Sequence, residues 1–199
     1  MKKLQIQGVG GLSTILVGEP LKNLIHHLPT PNPVIITDEI VGQRYADQFP
    51  PGHVMTIGTG EGIKTLETIS RIYSELVAIE ADRSCSIVGI GGGIVCDMAG
   101  FVASTYLRGV RFGFVATTLL AQVDAGVGGK TGVNLVSGKN LVGAFWQPTA
   151  VLCDRRSAAR RGPTPRWTST SSSAPRSTWP SSAPASTAGC ATCMRRREF

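Results

Sequence analysis

The chain has 199 residues, 42% of them hydrophobic, and a formal net charge of +7 that is unevenly distributed. Residues 155–199 carry nine arginines and one acid, whereas residues 1–154 carry 11 basic and 12 acidic groups, so the charge of this longer part gives no reason to expect nucleic-acid binding. No run reaches about 18 apolar residues and the five cysteines are irregularly spaced, which excludes a membrane helix and a disulfide framework.

The N-terminal residues MKKLQIQGVGG lack the apolar segment of a signal peptide, so we expect a cytoplasmic protein. Apolar runs typical of strands then alternate with segments of helical spacing, such as Leu21, Leu24, Ile25 and Leu28. This alternation predicts an α/β domain over residues 1–154 with a largely parallel sheet. Strands are predicted at 13–17, 34–37, 54–57, 86–90, 112–116 and 150–153, with helices between them that run to about residues 28, 49, 76, 105 and 123, and part of a hairpin at 130–136.

Two of the predicted strands end at segments with charged residues. Asp38 follows the second strand at the edge where α/β sheets bind ligands, and it is equally well placed to cap the next helix. In GTGEGIK (58–64), Thr59 or Gly60 is predicted to cap the helix that follows. A cation such as Lys64 in the first turns of that helix opposes the helix dipole, which indicates an anionic ligand.

Three glycines, Gly91–Gly93, separate the fourth strand from its helix. Their backbone N–H groups and the helix N-terminus predict a phosphate cradle. The spacing differs from the GxGxxG fingerprint, so a tight turn that serves packing is the alternative. Asp97 is predicted in the first turn of the helix, where it either stabilises the terminus or holds a ligand group.

Polar residues that suit a ligand with several negative charges follow over the next forty positions. Guanidinium groups bind phosphate or carboxylate through two parallel hydrogen bonds, although each arginine alone could be a surface residue. Hydroxyls at a strand end reach the ligand edge of a sheet, and lysines beside glycine turns add positive charge. These residues are Arg108, Arg111, Thr117, Thr118, Asp124, Lys130, Lys139 and Asn140.

The runs GGGIVCDMAGFVASTYLRGVRF and TTLLAQVDAGVGGKTGVNLVSGKNLVGAFWQP resemble the 3-dehydroquinate synthase family, which catalyses the second step of the shikimate pathway. The resemblance covers residues 34–154 and extends less specifically over 1–33. It implies a Rossmann-like NAD-binding α/β domain, a helical second domain and a homodimer. The implied reaction is the NAD-dependent conversion of the phosphorylated keto acid DAHP into 3-dehydroquinate and phosphate.

The resemblance also implies roles for individual residues. Lys130 and Asn140 match positions near the substrate phosphate, and Arg108 matches an arginine that reaches the phosphate across the dimer interface. The implied catalytic residues are Arg108, Asp124, Lys130 and Asn140. The implied cofactor-binding residues are Asp38, Thr59, Gly60, Glu61, Gly62, Ile63, Lys64, Gly92, Gly93, Ile94, Val95, Cys96, Asp97, Thr117, Thr118, Lys130 and Lys139.

The family holds zinc or cobalt with one glutamate and two histidines of its helical domain, which does not follow in this sequence. His26, His27 and His53 lie upstream and match none of these ligands, so no residue is predicted to bind metal. Gly126 stands where the family usually has serine and Ala116 where proline is common. Both departures are expected to be tolerated.

Residues 155–199 contain no leucine, isoleucine or valine, so they are predicted to be disordered. The abrupt change of composition after Asp154 indicates a slipped reading frame. A basic tail that binds nucleic acid or an anionic surface is the alternative. We therefore expect a truncated and inactive 3-dehydroquinate synthase, with another sugar phosphate cyclase or a basic-tailed nucleic-acid-binding module as alternatives.

Overall fold

The structure, a computed structural model, describes residues 1–8, 11–28 and 30–154. The predictions for residues 155–199 therefore lie outside the described residues. Within this part of the chain, no helix is long and apolar enough to span a membrane. The strands are β1 (Lys2–Gly8), β2 (Gly11–Val17), β3 (Val34–Asp38), β4 (His53–Ile57), β5 (Ser86–Gly91), β6 (Arg111–Ala116), β7 (Lys130–Leu135), β8 (Gly138–Phe145) and β9 (Ala150–Cys153), and the α-helices are α1 (Glu39–Tyr45), α2 (Leu66–Ala78) and α3 (Gly93–Thr105).

Seven strands form one sheet in the order β1-β2-β9-β6-β5-β3-β4. Only β1 is antiparallel to its neighbour, and the other neighbouring strands run parallel. The predicted α/β fold with a largely parallel sheet is confirmed. Strand β9, the last in the described part of the chain, lies inside the sheet, because Ala150 pairs with Thr14 of β2 on one side and with Gly113 of β6 on the other.

Both faces of the central strands β3, β5, β6 and β9 are buried, as expected for parallel strands that read as continuous apolar runs. On one face, Ile36 and Phe112 pack with the inner sides of α2 and α3. On the other face, Ile35 and Leu152 pack with α1 and with the 3₁₀ helix Leu21–His27. The sheet is therefore the central layer of the described domain, and its loops carry the polar residues.

The α2 helix begins later than the sequence predicts. A short 3₁₀ turn at Glu61–Ile63 comes first, and the side chain of Thr65 then caps α2 by accepting a hydrogen bond from the Thr68 N–H at 3.3 Å. The prediction that Thr59 or Gly60 caps this helix is therefore wrong. As a result, Lys64 lies outside the helix and does not oppose its dipole.

Other elements differ in kind or extent from the prediction. The segment 19–28 forms the 3₁₀ helix Leu21–His27, and the turn after β6 ends in a π-helix at Ala121–Ala125. The first turn of α3 contains no acidic residue. Asp97 lies in the second turn, so the prediction that it lies in the first turn is wrong. Strands β1 and β8 were not predicted: every side chain of β1 up to Gln7 is exposed, and β8 is rich in glycine and polar residues.

Strands β7 and β8 form a separate antiparallel hairpin that packs on α3. At one end of the hairpin, the Trp146 indole donates to the Val110 carbonyl at 3.2 Å. At the other end, the Asn134 N–H donates to the Lys64 carbonyl at 2.8 Å. The hairpin is thus attached to the loop that follows β4, at the carboxyl edge of the sheet.

Candidate functional site

The strands β3, β4, β5 and β6 are parallel, so the residues that follow them meet at one edge of the sheet. Most of the predicted site residues lie there. Asp38 is at this edge, and its Oδ1 accepts a hydrogen bond from the Val41 N–H at 2.8 Å, which makes it the cap of α1. One of its two carboxylate oxygens is therefore engaged locally, and the helix-cap alternative is confirmed.

The glycine turn between β5 and α3 brings the backbone close to its surroundings. A Cβ at Gly91 would lie 2.5 Å from a methyl carbon of Val95, and a Cβ at Gly93 would lie 3.3 Å from Ala125. Gly92 precedes α3, and no side chain in the described structure caps this helix. The first N–H groups of α3 therefore remain available to an anion, as the cradle prediction requires.

The predicted residues inside α3 contribute unequally to this edge. Val95 and Cys96 are buried in the core, and the Cys96 N–H donates to the Gly92 carbonyl at 3.0 Å. Burial raises the pKa of the Cys96 thiol far above its usual range, so this cysteine is a packing residue. The side chains of Ile94 and Asp97 are partly exposed and can face a ligand.

Thr117, directly after β6, is the polar residue that the fold leaves unsatisfied. Its side-chain oxygen is buried and has no hydrogen-bond partner among the described residues. The neighbouring Thr118 hydroxyl accepts a hydrogen bond from the Ala121 N–H at 3.1 Å. A buried hydroxyl without a partner costs about 1–3 kcal/mol, so Thr117 is a candidate for a ligand contact.

We expect Thr117→Val to stabilise the ligand-free protein by about 1 kcal/mol, because it replaces an unpaired buried hydroxyl with a methyl group of similar shape. The matched control is Thr131→Val, since the buried Thr131 hydroxyl donates to the Ala144 carbonyl at 2.7 Å and its loss should destabilise the protein. Urea unfolding of both variants measures the difference. A loss of stability in both variants would contradict the assignment of Thr117.

Lys64 is almost completely buried, at 3% exposure, and lies between α3 and the hairpin. Its ammonium donates to Asp97 Oδ2 and to Asn140 Oδ1, each at 2.5 Å. Burial raises the pKa of Asp97, and the hydrogen bond from Lys64 opposes this shift. The sequence did not predict this contact between α3, the loop after β4 and the hairpin.

Four of the predicted residues line one cavity of about 440 Å³. Asp97 contributes from α3, Asp124 from the π-helix, and Lys130 and Asn140 from the hairpin. Lys130 and Asp124 form an exposed ion pair, so the ammonium remains accessible to a ligand. The cavity thus combines two carboxylates, a cation and an amide. The sequence predicts two lysines, an amide and an arginine at this edge, and of these only Lys130 and Asn140 line the cavity.

The hairpin contacts Glu61 of the loop after β4 through Asn134 and Lys139. The Asn134 amide donates to Glu61 Oε1 at 2.8 Å, which lowers the pKa of Glu61, while Lys139 lies 3.8 Å from the same carboxylate. Asn134 was missed in the sequence, although it belongs to the run KTGVN. An asparagine inside a strand, where this residue is uncommon, was the available signal.

Arg108 does not join these residues within one chain. It precedes β6 and therefore lies at the amino end of that strand, and it is not among the residues that line the cavity. Leu107, Arg108 and Gly109 all have positive φ, at 48°, 66° and 115°, and a Cβ at Gly109 would lie 2.8 Å from the Trp146 ring. This turn exposes the Arg108 side chain to solvent.

No group of three histidine, cysteine, aspartate or glutamate side chains in the described part of the chain could hold a metal ion. His27 pairs with Glu19 at 3.4 Å and His53 with Glu75 at 2.9 Å, both away from the cavity. The cavity does not fit zinc or cobalt, because its two carboxylates, Asp97 and Asp124, are each paired with a lysine and no histidine or cysteine lines it.

Comparison with protein families gives a match to the model of the 3-dehydroquinate synthase N-terminal domain over residues 54–161. The 3-dehydroquinate synthase of Halorhodospira halophila is 47% identical over 135 residues, which cover 66% of this chain and 38% of that protein. The enzyme of the same name from Pyrococcus abyssi is 50% identical over 115 residues, or 58% of this chain and 33% of that protein. The chain thus spans well under half of the relatives' length.

Solved structures give the same fold. A 2-deoxy-scyllo-inosose synthase complexed with carbaglucose-6-phosphate, NAD⁺ and Co²⁺ superposes with a TM-score of 0.71 at 29% identity, covering 81% of this chain and 47% of that one. A 2-epi-5-epi-valiolone synthase from Streptomyces hygroscopicus, with NAD⁺ and Zn²⁺ bound, gives 0.67 at 28% identity over 72% of this chain and 43% of its own. A glycerol dehydrogenase from Schizosaccharomyces pombe, at 16% identity, shares the fold alone.

Proposed function

Because this chain belongs to the 3-dehydroquinate synthase family, we propose that residues 1–154 are the NAD-binding half of a 3-dehydroquinate synthase. The reaction of the whole enzyme would be the elimination of phosphate from DAHP to give 3-dehydroquinate, in the shikimate pathway and in the cytoplasm. The observation that carries the proposal is the cavity at the carboxyl edge, where Asp97, Asp124, Lys130 and Asn140 meet.

The residues at this edge fit NAD. The free N–H groups at the start of α3 would hold the pyrophosphate beside Gly92 and Gly93. The unpaired hydroxyl of Thr117 would then gain a hydrogen-bond partner in the nicotinamide half. Bound NAD supplies reversible hydride transfer, which would make the proton next to the oxidised carbon acidic. The structural neighbours that carry NAD⁺ support this assignment.

Lys130 and Asn140 would hold the phosphate of the substrate. The Lys130 ammonium is half exposed at the cavity, and its partner Asp124 can release it to a more highly charged ligand. The sugar phosphate analogue named in one structural neighbour supports a phosphorylated substrate. Arg108 does not line this cavity within one chain, and we propose that it acts in the site of a second copy in a homodimer.

Turnover would need a further part of the enzyme. The described residues offer no metal ligands, and the helical turn after β6 exposes Leu119, Leu120 and Val123 to 70%, 64% and 68%. Apolar side chains next to a site are typical of a surface that another domain covers. We therefore propose that turnover requires a second domain that covers this surface and supplies the metal ligands.

The 199-residue chain should bind NAD⁺ but release no phosphate from DAHP, because its described residues hold no group of side chains for the metal ion that would polarise the substrate. Isothermal titration calorimetry measures the first property and a phosphate-release assay the second. Measurable phosphate release by the wild-type chain would contradict the need for a second domain.

A second candidate is another sugar phosphate cyclase, because the structural neighbours named above are synthases of that kind. The higher identity to 3-dehydroquinate synthases, 47% against 28–29%, favours the first candidate. A panel of sugar phosphates tested on a chain fused to a complete helical domain would discriminate between them. A nucleic-acid-binding role would depend only on residues 155–199, and a salt-dependent gel shift that is lost on their deletion would be its sign.

A further inference from the structure

Asn134 occupies an irregular point of the hairpin. The pairing of β7 with β8 is regular as far as Val133, which faces Val142, but Leu135 then faces Gly138. Three residues of β8 therefore lie opposite Asn134, which is a β-bulge. Bulges redirect side chains and are frequent next to active sites.

The side chain and backbone of Asn134 fill this bulge with hydrogen bonds to three predicted site residues. Its Oδ1 accepts from the Asn140 N–H at 2.8 Å, and its Nδ2 donates to Glu61 Oε1 at 2.8 Å. Its own N–H donates to the Lys64 carbonyl at 2.8 Å. Both ends of the amide are thus used, one toward the hairpin and one toward the loop after β4.

The contact with Asn140 matters because of the backbone there. Asn140 has a φ of 54°, a left-handed conformation that costs energy in most residues and is tolerated best by glycine and asparagine. In this conformation its side chain reaches Lys64 at 2.5 Å and lines the cavity. The hydrogen bond from the Asn140 N–H to Asn134 stabilises this conformation.

We infer that Asn134 is a positioning residue that fixes the loop 58–64 to the hairpin β7–β8, so that the cofactor side and the phosphate side of the site keep one relative geometry. The inference rests on the proposed function for the identity of the two sides. Asn134 itself need not touch a ligand, because it acts through Glu61 and Asn140.

The hydrogen bond between Asn134 and Glu61 can be tested by exchanging donor and acceptor. Asn134→Asp places two carboxylates in contact, and we expect NAD⁺ binding to the full chain to weaken about tenfold. Adding Glu61→Gln to that variant supplies a donor from the other side. The double variant should then bind NAD⁺ within about threefold of Glu61→Gln alone. A double variant no tighter than Asn134→Asp would overturn the inference.

Asn23 provides a matched control, because its amide donates to Glu19 Oε1 at 2.7 Å in the same kind of pair, away from the cavity. Asn23→Asp should leave the NAD⁺ dissociation constant within about twofold of wild type. An equal loss of affinity in Asn23→Asp and Asn134→Asp would show that general destabilisation is the cause, and would overturn the inference.

A measurement without any ligand separates this inference from the proposed function. In Asn134→Leu, NMR titration of Glu61 should show its pKa rising toward the ordinary value of 4.5, because the donor that lowers it is removed. The changes in urea midpoint caused by Asn134→Asp and by Glu61→Gln should also not add up to the change in the double variant. A wild-type chain that binds no NAD⁺ refutes the proposed function, whereas an unshifted Glu61 titration or additive midpoints refute the role of Asn134.

Discussion

Lys64→Met should lower the free energy of unfolding by about 3 kcal/mol, because it leaves the Asp97 carboxylate buried without its cation. Breaking a buried ion pair costs about 3–5 kcal/mol, and the lower end applies because the Asp97 side chain is still 22% exposed. Asn140 would also lose its partner in the cavity. Urea unfolding at pH 7 measures the loss.

The matched control is Lys130→Met, the same change in a lysine–aspartate pair whose side chains are 52% and 57% exposed. An exposed pair contributes about 0–1 kcal/mol, so this variant should lose little stability. Similar losses in Lys64→Met and Lys130→Met would contradict the importance of burial.

The pH dependence of Lys64→Met follows from the pKa of Asp97, which burial raises above its unfolded value of 3.8. A folded state with the higher pKa binds more protons, so stability falls as the pH rises from the unfolded pKa to the folded one. Removing Lys64 removes the contact that opposes this shift. The deficit of Lys64→Met relative to wild type should therefore be larger at pH 7 than near pH 4.

Gly143→Ala should destabilise the hairpin by about 2 kcal/mol, because the new Cβ would lie 2.2 Å from the Thr131 carbonyl oxygen of the facing strand. Gly143 pairs with Gly132, whose own Cβ would meet the Val142 carbonyl at 2.7 Å, so neither strand can move aside easily. Gly143 also lines the cavity, so the same substitution changes the cavity wall. Thermal unfolding followed by circular dichroism measures the effect.

Gly42→Ala is the corresponding control, since a Cβ there would meet only a methyl carbon of Thr37 at an ordinary 3.6 Å. Alanine inside α1 should raise stability by about 0.5–1 kcal/mol, because it restricts the unfolded chain more than glycine does. The two substitutions are therefore expected to shift the melting temperature in opposite directions. A lower melting temperature in both variants would show that the close approach at Gly143 is not the cause of the destabilisation.

The elements that the sequence predicts well are those with strong apolar patterns. Strands β3, β5 and β9 are buried on both faces, so their continuous apolar runs were sufficient. Strand β1 escaped prediction because its side chains are exposed and it is held only by pairing with β2. Strand β8 escaped because GKN suggests a ligand-binding loop, and its partner strand is visible only in three dimensions.

The candidate site was predicted residue by residue but not as a network. Motif spacing led to Asp97, Asp124, Lys130 and Asn140, and these do line one cavity. The links between them depend on contacts of distant residues, such as Lys64 with Asn140, which no local pattern records. For the same reason Asn134 was missed, because its significance arises from a bulge in the hairpin.

The position of β9 in the sheet has a consequence for how the chain folds. Strands β3, β4, β5 and β6 can associate as soon as they are synthesised, but β2 has to wait for β9, the last strand of the described residues, before it acquires its parallel neighbour. An isolated hairpin such as β1–β2 is marginally stable in water, and pairings between distant residues form slowly. During synthesis, the apolar side chains of β2 therefore remain uncovered longest, and this is the stage at which a nascent chain would depend most on chaperones.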